Sequence, residues 1–292
     1  MLFILCILFF ICYRKFDYWN QIVYHSHQPD FTKWVLCDKY IAKQYASLNG
    51  FKVPETYQLC QYPHQIKVRD TCVVKPVDLC DSHGVYLLYK GMDVKTKKPV
   101  CETQIQQELH HIRSTINQEY YMTETMYNGR VPFTGYIVEE YLHTKDGTPP
   151  SDYKCYVFNG RILCIAHTSG RKTVNGKQIF QSSWYTRDWN AIRFPMIQKN
   201  YHYHPCEKPQ GYDLLIKLVE AMSKKLQRHC RIDVYLHNGH VYFGEFTFFG
   251  GAFLHTFPCN LFLGVHWYLN PDNLLYEDPV IPKLIPPLYQ LI

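Results

Sequence analysis

The chain has 292 residues, of which 47% are hydrophobic and 19% charged, and it carries a net charge of +6 at pH 7. This length fits one large domain or two fused ones, and the composition excludes disordered and collagen-like chains. A basic excess of this size suits nucleotides or other small polyanions, but it is too small and too dispersed to predict nucleic-acid binding.

The twelve cysteines form no C-x-x-C pair, and most of them lie within apolar runs. We interpret them as small buried hydrophobic residues of a reducing compartment, which predicts a cytoplasmic protein. The sequence YHYHPC at 201–206 offers zinc-ligand types, but no second ligand pair at zinc spacing accompanies it. A zinc site is therefore disfavoured.

The first predicted element is the apolar run Met1–Cys12, which Arg14 and Lys15 follow. It is shorter than the roughly 20 residues of a membrane span, and it lacks the flanks of a secretory signal. Two interpretations stay open for the segment 1–16. One is a short anchor or peripheral membrane contact through residues 1–13, with the remainder on the cytosolic side. The other is a buried strand or helix.

Helices and strands then alternate, which predicts an α+β protein. Asp38 is expected to cap a helix that Asn49 and Gly50 end. Further along, the patterns predict strands at 71–77, 85–89 and 136–142, helices at 105–120 and 213–228, and two hairpins with Asn-Gly turns at 159–160 and 238–239.

The second of these helices and the C-terminal tail carry their own patterns. Leucine or methionine recurs at a spacing of four in the helix and predicts its buried face, at Leu214, Leu218, Met222 and Leu226. The proline-rich tail from Pro279 is expected to run as an extended strap on the surface or against a groove.

Two acids of the last hairpin, Asp233 and Glu245, lie among large apolar residues. An ionised carboxylate there is costly unless it is paired or bound to a cation. A strict two-residue loop would place them on opposite faces, whereas a three-residue loop with Gly239 in the left-handed conformation would place both on one face. Thr247 shares a face with Glu245 in either case.

Two interpretations of these acids remain open from the pattern alone. Two carboxylates and a hydroxyl on one sheet face suit Mg²⁺, which prefers a few carboxylates together with phosphate oxygens. Alternatively, each acid pairs with a nearby base such as Arg231 or Lys225.

Lys75 and Lys154 lie inside β-runs, where a lysine either extends to solvent or meets an anion. Opposite a pair of metal-binding acids, they would hold a polyphosphate; for each lysine taken singly, an edge-strand position that maintains solubility is the favoured interpretation. The backbone that leaves strand 136–142 offers alternating C=O and N–H groups, as an adenine edge requires. The sequence contains no G-x-S-x-G or H-E-x-x-H motif.

The order of these pieces is more specific than any one of them. It comprises Lys75 in a strand, the acid-ended strand 136–142, D-Y-K at 152–154, R-I-D at 231–233 and GEFTFFGG at 244–251. Over roughly residues 35–267 the chain resembles the ATP-grasp superfamily, and within it the TupA-like branch, named for teichuronopeptide biosynthesis. The phrase DKYIAKQYA at 38–46 is also typical of that branch.

The resemblance implies an ATP-grasp fold, in which two α+β subdomains grip ATP between antiparallel sheets. The N-terminal and small lobe would span 35–135, the C-terminal lobe 136–270 and the tail 271–292. The nucleotide-binding residues implied are Lys75, Lys154, His83, Gly84, Glu139, Glu140, Tyr141 and Leu142. The Mg²⁺ ligands implied are Asp233, Glu245 and Thr247, and Arg171 and Arg231 would steady an acyl phosphate or a substrate carboxylate.

Two departures from the family pattern bear on this assignment. The loop after Lys75 has few glycines, hence fewer free backbone N–H groups to cradle phosphates. Thr247 stands where many ATP-grasp enzymes carry Asn.

The resemblance implies an ATP- and Mg²⁺-dependent carboxylate–amine ligase that acts through an acyl phosphate on carboxylate and amine substrates. The acceptor would be glycan-linked and belong to polysaccharide or glycopeptide assembly. Alternatives are an ATP-grasp kinase, a non-catalytic nucleotide-binding or scaffold protein, and a polysaccharide-binding module that uses Trp184 and Trp189.

Overall fold

The computed structural model describes residues 15–26, 28, 30–79, 82–124, 135–174, 177–198, 204–248, 250 and 255–284, with the backbone alone for 116–124, 171–174 and 177–179. The apolar run 1–12 and the tail beyond 284 lie outside these residues. No helix in the described ranges is both long and apolar enough to cross a membrane.

The described α-helices are α1 (Tyr18–Ser26), α2 (Phe31–Leu36), α3 (Lys39–Leu48), α4 (Glu102–Glu124), α5 (Tyr212–Leu226) and α6 (Phe257–Leu269). The described strands are β1 (Thr56–Cys60), β2 (Cys72–Pro76), β3 (Tyr86–Tyr89), β4 (Met92–Asp93), β5 (Tyr136–Glu139), β6 (Asp152–Phe158), β7 (Arg161–Val174), β8 (Lys177–Thr186), β9 (Ala191–Ile192), β10 (Cys230–His237) and β11 (His240–Thr247). Short 3₁₀ turns occur at Pro63–Gln65 and Ile281–Leu284.

The strands form two sheets in which every pairing is antiparallel. The first has the order β1-β5-β2-β3-β4, and the second has the order β11-β10-β6-β7-β8-β9. The prediction of an α+β protein with two antiparallel sheets is confirmed. β5 begins at the predicted lobe boundary of 136, yet it pairs with first-sheet strands, and the second sheet begins at Asp152.

Helix α3 and the segment after it connect the two sheets. Asp38 caps the helix as predicted, because its side chain accepts hydrogen bonds from the Tyr40 and Ile41 amides at 2.8 and 2.9 Å. The Lys52 amide then donates to the Val241 carbonyl of β11 at 3.1 Å. The end of α3 is thereby fixed to the second sheet, while its middle faces the first.

The largest core lies between α3, α5 and one face of the second sheet. The buried residues of α5 are Tyr212, Leu215, Ile216, Val219, Met222, Ser223 and Leu226. The predicted face was wrong at Leu214, which is 42% exposed, and Leu218 is only partly buried. A residue four positions further along a helix lies about 40° beyond one full turn, so three such steps rotate the side-chain direction by about 120° away from the buried face.

A second core covers the opposite face of the second sheet beneath α1 and α6. The two helices approach so closely that a Cβ on Gly264 would lie 1.9 Å from the Phe16 carbonyl oxygen. A residue without a side chain is therefore required at this crossing.

The described part of the proline-rich tail corrects the prediction of an extended strap. Ile281–Leu284 form a 3₁₀ turn, and Ile281 is buried in the main core. The Tyr45 hydroxyl of α3 donates to Asp278 at 2.8 Å just before this turn. Burial of Ile281 stabilises a compact turn more than an extended path over the surface would.

Candidate functional site

The β10–β11 hairpin determines where the predicted acids lie. Its turn has two residues, Asn238 and Gly239, with φ of 50° and 74°, and regular pairing runs back to Val234. A bulge at Gly244 then shifts the register, and Asp233 pairs directly with Glu245.

Because of the bulge, the length of the hairpin loop alone does not determine on which face of the sheet each acid lies. The expectation that a two-residue loop places the acids on opposite faces was wrong, because one extra residue in β11 restores the parity. Asp233 and Glu245 lie on the same face, as the three-residue alternative had required.

Asp233 is the most enclosed member of the site, with 3% of its surface exposed. The Arg231 guanidinium holds it through two bonds, Nε–Oδ1 at 2.6 Å and Nη2–Oδ2 at 2.7 Å, and Lys154 Nζ adds a third at 2.8 Å to Oδ2. Burial pushes the pKa of Asp233 upward, but Arg231 and Lys154 outweigh it and hold that pKa below its usual range.

Lys154 reaches this face because β6 pairs with β10 in the register Lys154–Asp233. Its ammonium group also binds Asp152 at 2.7 Å, so one lysine connects two buried carboxylates. The alternative of an edge-strand lysine does not hold here, since β6 lies between β10 and β7.

Glu245 and Thr247 complete the cluster on β11. Arg231 Nη2 lies 3.0 Å from the Thr247 hydroxyl and 3.4 Å from Glu245 Oε1. The Glu245 side chain is 42% exposed and open to a ligand. The acids converge on one face, as the Mg²⁺ interpretation requires, and both also pair with Arg231, as the alternative expects. Lys225 binds Asn49 instead.

The first sheet contributes Lys75 of β2 to the opposing side. Its ammonium group binds Glu139 Oε1 at 2.7 Å, and the second Glu139 oxygen binds Lys43 of α3. Burial, together with the nearby Lys39, lowers the pKa of Lys75 to about 8, while Glu245 of the second sheet acts in the opposite direction. Lys75 therefore lies within electrostatic reach of Glu245 on β11.

The chain leaves β5 without regular secondary structure at Glu140, Tyr141 and Leu142. The Glu140 amide donates to the Glu55 carbonyl at 2.8 Å, and the buried Tyr141 hydroxyl donates to the Gly147 carbonyl at 3.1 Å. Within the described ranges, the Glu140 carbonyl and the Leu142 amide take part in no hydrogen bond. These two groups are the donor–acceptor pair that an adenine edge would need.

The loop after β2 is anchored at both of its described ends. Asp78 forms a bidentate ion pair with Arg113 of α4, at 2.6 and 2.7 Å. At the other end, Gly84 has a φ of 67°, and a Cβ there would lie 2.8 Å from Leu109 Cδ2. His83 beside it is exposed.

Arg171 belongs to β7, but the structure describes only its backbone and not its side chain. Seven of the other predicted residues form two groups. The group on the second sheet comprises Lys154, Arg231, Asp233, Glu245 and Thr247, and the group on the first sheet comprises Lys75 and Glu139. Sequence reasoning missed Lys43, although its place in a capped helix, three residues before the buried Ala46, was a usable signal.

The donor set at β10–β11 fits a hard cation. Two facing carboxylates and a hydroxyl offer the oxygen ligands that Mg²⁺ takes, with phosphate or water supplying the rest. In the part of the chain that the structure describes, no three His, Cys, Asp or Glu side chains gather as metal ligands. A cation here would depend on Asp233, Glu245, Thr247 and its own bound ligands.

A comparison with curated proteins gives no match. Among solved structures, the chain is similar to a D-alanine–D-alanine ligase from Bacillus anthracis, with 16% identity, 82% of this chain and 69% of that chain covered, and a TM-score of 0.47. The structure of the same ligase complexed with ATP is similar at 16% identity, with 75% of this chain and 58% of that chain covered and a TM-score of 0.40. The chain thus spans less than two thirds of the length of that ligase.

An L-amino acid ligase from Bacillus licheniformis is similar at 13% identity, with 82% of this chain and 48% of that chain covered and a TM-score of 0.47. These scores are below 0.5, and the family assignment rests on a different comparison. The model of the TupA-like ATP-grasp family matches residues 20–262, which is most of the chain. The chain belongs to the TupA-like ATP-grasp family.

Proposed function

We propose that the chain binds ATP and Mg²⁺ between its two sheets and uses ATP to convert a substrate carboxylate into an acyl phosphate, which an amine then attacks to give an amide and phosphate. Membership of the TupA-like ATP-grasp family supports ATP as the ligand. The observation that carries the proposal is the cluster on the second sheet, where Lys154 and Arg231 bind Asp233 beside Glu245; Glu245 also acts on the pKa of Lys75 of the first sheet.

The cation would be held by Asp233, Glu245 and the Thr247 hydroxyl. When bound, it would neutralise charge on the phosphate oxygens during phosphoryl transfer. Both Asp233 oxygens already accept hydrogen bonds from Arg231 and Lys154. A cation and these bases therefore compete for the same carboxylate, and binding of the metal would free donors of Arg231 for a substrate.

The basic residues have distinct roles in this proposal. Lys75 and Lys154 approach from different sheets, and their ammonium groups would contact the phosphates. Arg231 offers a planar fork of donors, which suits a carboxylate or an acyl phosphate, and Arg171 would assist it. Fixed charges that neutralise the moving phosphoryl group account for catalysis without a nucleophilic side chain.

The exit of β5 would bind the adenine ring. The Glu140 carbonyl would accept from the exocyclic amine, and the Leu142 amide would donate to a ring nitrogen, with Glu139 and Tyr141 alongside. His83 and Gly84 would close the phosphate side. For the acceptor, we propose a glycan-linked carboxylate of polysaccharide or glycopeptide assembly, as the family name suggests.

The test is turnover of ATP by the purified chain with Mg²⁺ across a panel of carboxylates and amines. Substrate-dependent release of phosphate, together with an amide product seen by mass spectrometry, is expected, and Glu245→Gln should abolish both. The matched control is Glu207→Gln, which changes an exposed glutamate outside the cluster and should retain turnover.

Other outcomes would point to the competing functions. Phosphorylation of a hydroxyl without any amine would indicate a kinase. ATP binding without turnover on any substrate of the panel would indicate a nucleotide-binding scaffold protein.

A further inference from the structure

Lys43 of α3 is a buried lysine that the proposed mechanism does not use. Its side chain is 1% exposed, and its ammonium group binds a Glu139 oxygen whose carboxylate is 3% exposed. The other Glu139 oxygen binds Lys75, whose side chain is 15% exposed. One carboxylate thus connects two ammonium groups that come from different elements.

The pairing of strands within the first sheet is sufficient to place Lys75 beside Glu139. β2 and β5 pair in the register Lys75–Ile137, which places Glu139 diagonally across from Lys75 on the same face. Lys43 approaches from α3 and is fixed by the packing of that helix. Without it, Glu139 and Lys75 would form an ordinary one-to-one cross-strand ion pair.

The three charges do not balance. Two lysines share one carboxylate, and the nearby Lys39 lowers the pKa of Lys75, while Glu245 of the second sheet acts on that pKa in the opposite direction. Burial, and after it the neighbouring Lys75, lower the pKa of Lys43 well below its usual range, so a positive charge on Lys43 is costly at this position. A local excess of positive charge is useful where an anion must be bound.

We propose that Lys43 is a positioning residue for nucleotide binding: by holding one oxygen of Glu139, it prevents that carboxylate from neutralising Lys75 and keeps the Lys75 ammonium group available to phosphate. This inference rests on the proposed function in its assumption that Lys75 contacts ATP. Lys43 itself contacts Glu139 and is assigned no contact with the nucleotide.

The test compares three variants with the wild type. Lys43→Met removes the ammonium group and keeps the length of the chain. The double variant Lys43→Met/Glu139→Gln also removes the competing carboxylate and leaves Lys75 unpaired. Lys225→Met is the matched control, since it removes an exposed lysine that binds Asn49 at the end of α3.

Calorimetric titration with ATP and Mg²⁺ at pH 7 gives the first readout. Lys43→Met should bind ATP about tenfold more weakly, as expected for loss of one charge-assisted contact. The double variant should recover most of this loss, and the control should match the wild type. Unchanged binding by Lys43→Met, or a double variant as weak as the single one, would overturn the proposal.

A second readout needs no ATP and separates this inference from the proposed function. The pKa of Lys75 is measured by NMR of isotopically methylated lysines in the wild type and in Lys43→Met. It should rise in the variant, because Lys75 gains sole use of Glu139, and this gain should exceed the loss of the hydrogen bond with Lys43 that raises the pKa of Lys75 in the wild type. An unchanged or lower pKa would refute the positioning role, whether or not the wild type binds ATP.

Discussion

Asp233 and Glu245 face each other directly across β10 and β11 because Gly244 forms a bulge between a regular hairpin and the site. A Cβ on Gly244 would lie 3.0 Å from the Asp233 carbonyl oxygen and 3.1 Å from the Tyr235 ring. The position of one glycine therefore determines whether two carboxylates share a face.

Gly244→Val is expected to disturb the bulge and the pairing of the acids. The clash should destabilise the fold by about 1–3 kcal/mol, as overpacking typically does, and the affinity for Mg²⁺ with ATP should fall beyond what unfolding explains. Thermal denaturation and calorimetry measure the two effects separately.

The comparison for that variant is Gly239→Ala in the turn of the same hairpin. Gly239 has a φ of 74° and no neighbour within 4 Å of a new Cβ. It should lose roughly 1 kcal/mol from left-handed strain and keep its affinity for Mg²⁺ and ATP. Equal loss of affinity in both variants would show that the bulge has no special role.

The carboxylate of Asp233 should contribute a pH-dependent part of the stability. Its pKa is lowered in the folded chain, so the contribution is present above the unfolded value of about 4 and is lost as pH falls through the folded pKa. Asp233→Asn should cost about 3 kcal/mol at pH 7, because Arg231 and Lys154 lose their shared partner.

Urea denaturation of the wild type and Asp233→Asn between pH 3 and 7 checks this expectation. The difference in the free energy of unfolding should shrink towards pH 3. A difference that stays constant over this range would mean that folding does not lower the pKa of Asp233.

ATP affinity should decrease as pH rises through about 8. Burial, together with Lys39, lowers the pKa of Lys75 to about this value, and only the protonated form attracts phosphate. Above it, the affinity should fall by up to about tenfold per pH unit. Calorimetry from pH 6.5 to 9.5 measures this, and the dependence should vanish in Lys75→Met. An equal pH dependence in that variant would assign the titration to another group.

The contact between α1 and α6 should tolerate no side chain at its crossing. Gly264→Ala would place a methyl group 1.9 Å from the Phe16 carbonyl oxygen, so the helices must separate. We expect a loss of at least 2 kcal/mol in the free energy of unfolding, measured by denaturant titration. A variant as stable as the wild type would contradict the close packing of these helices.

Local patterns sufficed to predict much of the fold. Asp38 before an amphipathic run predicted α3, and the dipeptide Asn238-Gly239 predicted the last hairpin, because capping and turn formation depend on neighbours in sequence. The order of motifs predicted the family, and the family match confirmed it.

Features that depend on distant packing escaped the sequence. Gly244 inside a strand run is a general signal for a bulge, but its close approach to Asp233 arises only once β10 is paired. Lys43 lacks a local partner because Glu139 lies 96 residues away. The face of α5 was misjudged at Leu214, since a spacing of four does not follow the pitch of a helix.

The central claim is that acids of the second sheet and lysines of both sheets surround one triphosphate with its metal. The most direct test measures ATP affinity with and without Mg²⁺ in the wild type, Lys75→Met, Lys154→Met and Glu245→Gln. We predict that Mg²⁺ strengthens binding in the wild type, that Glu245→Gln removes this gain, and that both lysine variants bind ATP more weakly in either condition. ATP affinity that is indifferent to Mg²⁺ and to all three substitutions would contradict the account.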